Sequence, residues 1–152
     1  VVVGDSAFRC HEDREIGFRA GLRANFPKVV LAGEAIGEDS PELTQKAVLK
    51  LLEAQPALAA IYNVGGGNRG LAAALQQAGR ADDVLVVGHD INFVTTPLLR
   101  EHKMDYVIAS DPAHLLDTAL EVATTPVADG GRDSTLVDFA IYTRFNTPSF
   151  AL

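Results

Sequence analysis

The chain reads as an α/β domain: an open parallel sheet with helices on both faces. Three observations predict it. Short apolar, β-rich runs recur at a steady interval, helical patterns fill the gaps between them, and most of the runs are continuously apolar rather than alternating. Continuous apolarity suits parallel strands covered on both sides. Repeated βα units with right-handed crossovers then place every strand's carboxyl end on one edge of the sheet, where such folds bind their ligands.

The elements follow in order. Strands are expected over residues 1–3, 29–32, 59–63, 84–88, 106–109 and 136–143, and helices over 11–25, 41–54, 67–78, 96–102 and 112–124. Ser40-Pro41 and Asp111-Pro112 each set an N-cap candidate before a proline at the first helical position, where the missing N–H has no intrahelical partner to lose. Leu43, Ala47 and Leu51, and again Leu115, Ala119 and Ala123, recur at helical spacing and read as buried stripes. The helix containing Leu71-Ala72-Ala73-Ala74-Leu75 is apolar all round and needs cover on a second side, from the core alone or from a partner subunit as well. Residues 126–133 read as a glycine-rich connection. The last strand alternates more than the others and is expected at an edge or in a second lobe.

Composition bounds the function. With 152 residues, 47% of them hydrophobic, the chain can bury one sizeable core. A net charge of −7 argues against a polyanion-binding surface, because nucleic-acid affinity comes mainly from Lys and Arg neutralising phosphates. The single cysteine, Cys10, excludes an internal disulfide; it suits a reducing cytosol, and a disulfide-free periplasmic protein equally well. No apolar run approaches the roughly 18 residues that cross a bilayer. The opening Val1-Val2-Val3-Gly4, with no initiator Met, is expected to lie inside a longer protein.

The stretch Ala60-Ile61-Tyr62-Asn63-Val64-Gly65-Gly66-Gly67-Asn68-Arg69-Gly70 admits two readings. In letters, Gly65-x-Gly67-x-x-Gly70 is a dinucleotide fingerprint, with Asp90 about 20 residues on as the ribose acid. That fingerprint belongs on the first βα turn, however, and here it falls on the third. Alternatively, Asn63 and Asp90 are polar residues at the carboxyl ends of neighbouring strands, facing a small ligand. No Ser/His/Asp set, metal-ligand cluster or reactive-cysteine context is visible, and His11, His89, His102 and His114 are scattered and read mostly as solvated or loop histidines. The expectation is a non-enzymatic binding domain with no cofactor and no metal.

Several short motifs in one order carry a resemblance. Gly4-Asp5-Ser6 precedes Arg14-Glu15-Ile16-Gly17-Phe18; Ala60-Ile61-Tyr62-Asn63, Val86-Val87-Gly88-His89-Asp90, Val107-Ile108-Ala109-Ser110-Asp111-Pro112 and Tyr142-Thr143-Arg144-Phe145-Asn146 follow. Together they resemble the carboxyl-terminal lobe of the effector-binding domain of LacI-family transcriptional regulators, which shares the fold of type I periplasmic sugar-binding proteins. The resemblance implies a flavodoxin-like strand order, with residues 1–152 forming mainly that lobe and the amino-terminal lobe and helix-turn-helix domain lying elsewhere.

The resemblance also implies ligand residues. Arg14 would fork hydrogen bonds to sugar hydroxyls, Asn63 would offer donor and acceptor, and Asp90 would accept from adjacent hydroxyls. Asn63 has a structural alternative, an Asx-type turn holding the glycines. Ser110 stands where the family usually has Gln, and Asp111 is the N-cap of the next helix. His89 replaces a commonly apolar or aromatic residue, and Glu34, Ile36 and Glu38 leave the loop after the second strand without the aromatic that relatives often place there.

On this basis the expectation is a cytoplasmic effector sensor of the LacI type, binding a sugar, polyol or derivative in an interlobe cleft. It would be a homodimer through the helix Leu71 to Ala78 and would act allosterically on operator DNA through the absent domain. A periplasmic sugar-binding protein of an ABC transporter is the nearest alternative, and an NAD(P)-binding oxidoreductase domain a more distant one.

Overall fold

The computed structural model describes residues 1–125 and 135–148. The connection expected over residues 126–133 therefore lies outside the described residues. The elements are β1 (Val2–Val3), α1 (Arg9–Asn25), β2 (Ala35–Ile36), α2 (Pro41–Ala54), β3 (Ala60–Tyr62), α3 (Asn68–Gln77), β4 (Leu85–His89), α4 (Thr95–Arg100), β5 (Tyr106–Ala109), α5 (Pro112–Thr124) and β6 (Ala140–Tyr142).

The strands form two ladders, β1-β2 and β3-β4-β5-β6, joined where Val2 bridges Asn63 in parallel. The spatial order is thus β2-β1-β3-β4-β5-β6. All pairings are parallel except the last, in which β6 runs antiparallel to β5 as an edge strand. This is the flavodoxin-like order, extended by one strand.

Side-chain alternation sorts the two faces. Ile61, Val86 and Val107 point into the buried core with Val48, Leu71, Leu75 and Leu99, beneath α2, α3 and α4. Tyr62, Val87 and Ile108 face the other way, toward α1, and line an apolar cavity of about 670 Å³ together with Phe18, Leu22 and residues 29–33.

Three local expectations change. The second strand is Ala35–Ile36 and not residues 29–32. Val1 and Val3 set its register by accepting from the amides of Ala35 and Gly37, at 2.9 Å each, so the apolar run before it borders the cavity and leaves Val30 82% exposed. The last strand shrinks to Ala140–Tyr142, because only those residues pair with β5, while Leu136 and Phe139 stay exposed. The stripe expected to be buried on α5 is not: no residue of that helix is buried, and Leu115, Leu116 and Leu120 are exposed. Its periodicity forms the helix without burying the stripe.

The capping signals act as expected. The Ser40 hydroxyl accepts from the Leu43 amide at 3.3 Å, and the Asp111 carboxylate accepts from the Ala113 amide at 2.9 Å. The apolar helix α3 is covered from within the chain. Leu71, Ala74 and Leu75 are buried against the core, and α2 lies alongside. Its surface is therefore used internally, which removes the basis for a subunit interface on this helix.

Candidate functional site at the carboxyl edge of the sheet

The glycine run is shaped by its neighbours. A side-chain carbon at Gly70 would lie 1.8 Å from the Pro41 carbonyl oxygen, and one at Gly67 would lie 2.1 Å from the Thr44 hydroxyl. Gly67 also holds φ +73, a left-handed conformation that glycine adopts without strain. These two glycines let α3 press against the start of α2.

At Gly65 and Gly66 the neighbour is Asp39 instead. Its Oδ1 accepts from the Gly66 amide at 2.5 Å, and its Oδ2 accepts from the Asp5 amide at 3.2 Å. A carboxylate thus occupies the place a phosphate would need, and two like charges repel. That geometry weighs against the dinucleotide reading.

Asn63 ends β3 with its side chain buried. Its Nδ2 donates to the Gly66 carbonyl and to Asn68 Oδ1, each at 2.7 Å, while its Oδ1 accepts from the Gly65 amide at 3.3 Å. Both donors are engaged inside the turn, which leaves acceptor capacity only.

Arg14 reaches this edge from the second turn of α1. Its Nη1 donates to the Val64 carbonyl at 2.9 Å, and its Nη2 lies 3.4 Å from both carboxylate oxygens of Asp90. The first bond anchors a side chain that is only 25% exposed; the second is long for a charge-assisted pair, and the Asp90 side chain is 63% exposed. An exposed pair of this kind is worth at most about 1 kcal/mol, so polar ligand groups can compete for it. Asp90 itself sits at φ +64 just past β4, held by its amide to the Ile108 carbonyl at 3.0 Å and by its carbonyl to the Thr95 hydroxyl at 2.6 Å.

Ser110 follows β5 on the adjacent strand and is half-buried. The structure therefore joins Arg14 and Asp90 directly, joins Asn63 to them through the neighbouring Val64 carbonyl, and sets Ser110 at the next strand end.

Two buried histidines complete the edge, against the expectation that such residues are mostly solvated. His11 Nδ1 donates to the Asp5 carbonyl at 3.1 Å and lies 3.9 Å from Asp39 Oδ2. His89 Nε2 shares a 2.7 Å hydrogen bond with the Tyr62 hydroxyl. Burial, followed by the nearby Arg14 charge, pushes the His89 pKa down to about 4, and burial raises that of Tyr62. Both groups are therefore neutral near pH 7. His102 and His114 are exposed, as expected. Of the residues missed by sequence reasoning, His89 had a signal in its unusual place before Asp90. Asp39 had none, because its partners come from two other loops.

An open, mostly parallel sheet with polar residues gathered at its carboxyl edge is the α/β class of fold that binds ligands at that edge. The chain belongs to the periplasmic binding protein domain family, whose model matches residues 1–130. Solved structures agree in fold. An ABC transporter solute-binding protein from Burkholderia graminis, in complex with D-arabinose, superposes with a TM-score of 0.83 at 19% identity, over 99% of this chain and 54% of that one. A periplasmic solute-binding protein from Actinobacillus succinogenes with bound D-allose gives 0.79 at 18% identity, over 96% and 52%. A sugar-binding protein of a sugar ABC transporter from Bacillus halodurans gives 0.77 at 22%, over 96% and 55%. The chain spans about half the length of these proteins. No curated protein matches it by sequence.

These findings correct the regulator assignment. The matching family is that of periplasmic binding proteins, and the similar structures are transport binding proteins. The LacI-family assignment falls, and with it operator DNA, the regulatory homodimer and the cytoplasmic location. The motifs behind it mark a fold that both kinds of protein share.

Proposed function

We propose that this chain is one lobe of a solute-binding protein that captures a small sugar or polyol outside the cytoplasm for an ABC transporter. The observation that carries the reading is the Arg14–Asp90 pair at the carboxyl edge. Arg14 is anchored on the Val64 carbonyl and only loosely engaged by Asp90, so its outer N–H groups and the carboxylate oxygens face any hydroxylated ligand that enters.

In this reading Arg14 donates to ligand hydroxyls and Asp90 accepts from them. Asn63, itself buried, holds the turn that supports Arg14, and Ser110 offers a short hydroxyl at the cleft's next strand end. A second lobe, outside this chain, closes over the sugar by hinge motion. The role is binding without catalysis. The family match and the sugar-bound structures of the same fold support it.

Calorimetry of the full-length protein against D-arabinose, D-allose and NAD tests the reading. Saturable binding of a sugar, weakened about tenfold or more by Arg14→Ala and by Asp90→Ala, is expected. NAD binding without sugar binding, or sugar affinity indifferent to both substitutions, overturns it.

A further inference from the structure

His89 and Asp90 are consecutive, and in a regular strand their side chains would point to opposite faces. The left-handed backbone at Asp90, φ +64, breaks that alternation. Asp90 bonds Arg14 of α1, while His89 bonds Tyr62, whose ring stacks 4.5 Å from that of Phe18, also on α1. Both side chains therefore lie on the α1 side of the edge.

His89 is 8% exposed and held in place. Its Nε2 is taken by the Tyr62 hydroxyl, and the two rings meet edge-on with centroids 5.5 Å apart. Nδ1 makes no hydrogen bond to a described residue, and the side chain is not wholly closed off from solvent. His89 does not line the apolar cavity beneath Tyr62. An imidazole fixed at one nitrogen, open at the other and adjacent in sequence to Asp90 is a poised hydrogen-bonding group.

We propose that His89 is a specificity-determining residue of the sugar cleft, its Nδ1 bonding one ligand hydroxyl while Asp90 bonds a neighbouring one. The inference rests on the sugar-binding reading above. The chemistry is adaptable. When the Tyr62 O–H donates to Nε2, Nδ1 carries the proton and donates outward; when Nε2–H donates to the Tyr62 oxygen, Nδ1 accepts. Arg14, Asp90 and His11 are the charged or titratable groups acting on the ring, with Tyr62 bonded to it. One phenol–imidazole pair can thus meet a hydroxyl in either sense, and the hydroxyl's position on the sugar ring decides whether it is met at all.

The test uses the full-length protein with D-arabinose, D-allose, D-fucose and D-tagatose. His89→Phe is expected to weaken the preferred sugar about tenfold and to compress the ranking among the four, whereas His89→Gln stays within about threefold of wild type. Unchanged affinities and ranking in His89→Phe overturn the proposal. Should that variant fail to fold, long-range proton–nitrogen NMR of the wild-type imidazole decides: Nδ1 is expected to shift on saturation with sugar, and an unmoved Nδ1 overturns the proposal. If Arg14→Ala abolishes sugar binding while His89 variants and Nδ1 are indifferent, only this inference fails. If wild type binds none of the four sugars, the sugar-binding reading fails with it.

Discussion

The carboxylate of Asp39 sits on the backbone amide of Gly66 at 2.5 Å and, through its other oxygen, on the amide of Asp5 at 3.2 Å. One side chain thereby ties the loop after β1 to the turn after β3. It does so from a backbone at φ 56, preceded by Glu38 at φ 49, so two residues hold a left-handed conformation to deliver it. Such conformations cost free energy in residues other than glycine, and the two charge-assisted bonds offset that cost.

Asp39→Ala is therefore expected to destabilise the fold by about 1–3 kcal/mol, because two amides lose a charged acceptor. Urea denaturation monitored by circular dichroism measures it. Asp39→Asn, which keeps one acceptor oxygen without the charge, should fall between wild type and alanine.

Gly70→Ala is expected to cost about 1–3 kcal/mol or more, since the added carbon meets the backbone of Pro41 and α3 must move off α2. Thermal unfolding reads the loss. Gly79→Ala is the control: it has open space around it but holds φ +66, so its cost is conformational strain alone and should be smaller.

The candidate site was partly legible in the sequence. Arg14 and Asp90 stood out through their motifs, and the structure brings them within 3.4 Å. Helices α2 and α5 begin where Ser40-Pro41 and Asp111-Pro112 place them, because capping is decided within four residues of chain. What was not legible is non-local. Asp39 works through partners 27 and 34 positions away, and β2 takes its position from the carbonyls of Val1 and Val3 rather than from its own hydropathy. The stripe on α5 is correct as a pattern, but a pattern does not say what lies opposite.

Arg14→Lys separates the two duties of that side chain. A lysine can keep either the Val64 carbonyl or Asp90 but lacks the fork that spans both. Sugar affinity is expected to fall by roughly 1 to 2 kcal/mol, less than for Arg14→Ala, with stability little changed. Parallel titration calorimetry and thermal melts check both halves of the statement.

His89 makes the fold sensitive to acid. Burial and the Arg14 charge hold its pKa at about 4 in the folded chain, against 6.5 for the ordinary side chain. Between those values the unfolded chain binds more protons than the folded one. The contribution is complete above about pH 6.5 and is lost as pH falls toward 4. Allowing for the water that still reaches the ring, the loss is on the order of 2 kcal/mol. His89→Gln should flatten that part of the stability profile, and an unchanged slope in denaturation between pH 7 and 4 contradicts the assignment.

The glycine turn carries a lesson for anyone who would re-engineer this scaffold. Its letters invite a nucleotide, yet Asp39 occupies the Gly66 amide, Thr44 crowds Gly67 and the Pro41 carbonyl stands over Gly70. Grafting a phosphate cradle there would mean excising Asp39, trimming Thr44 and drawing α2 back along its length, all in one step. Any one of these changes alone would loosen the fold without opening a place for the anion.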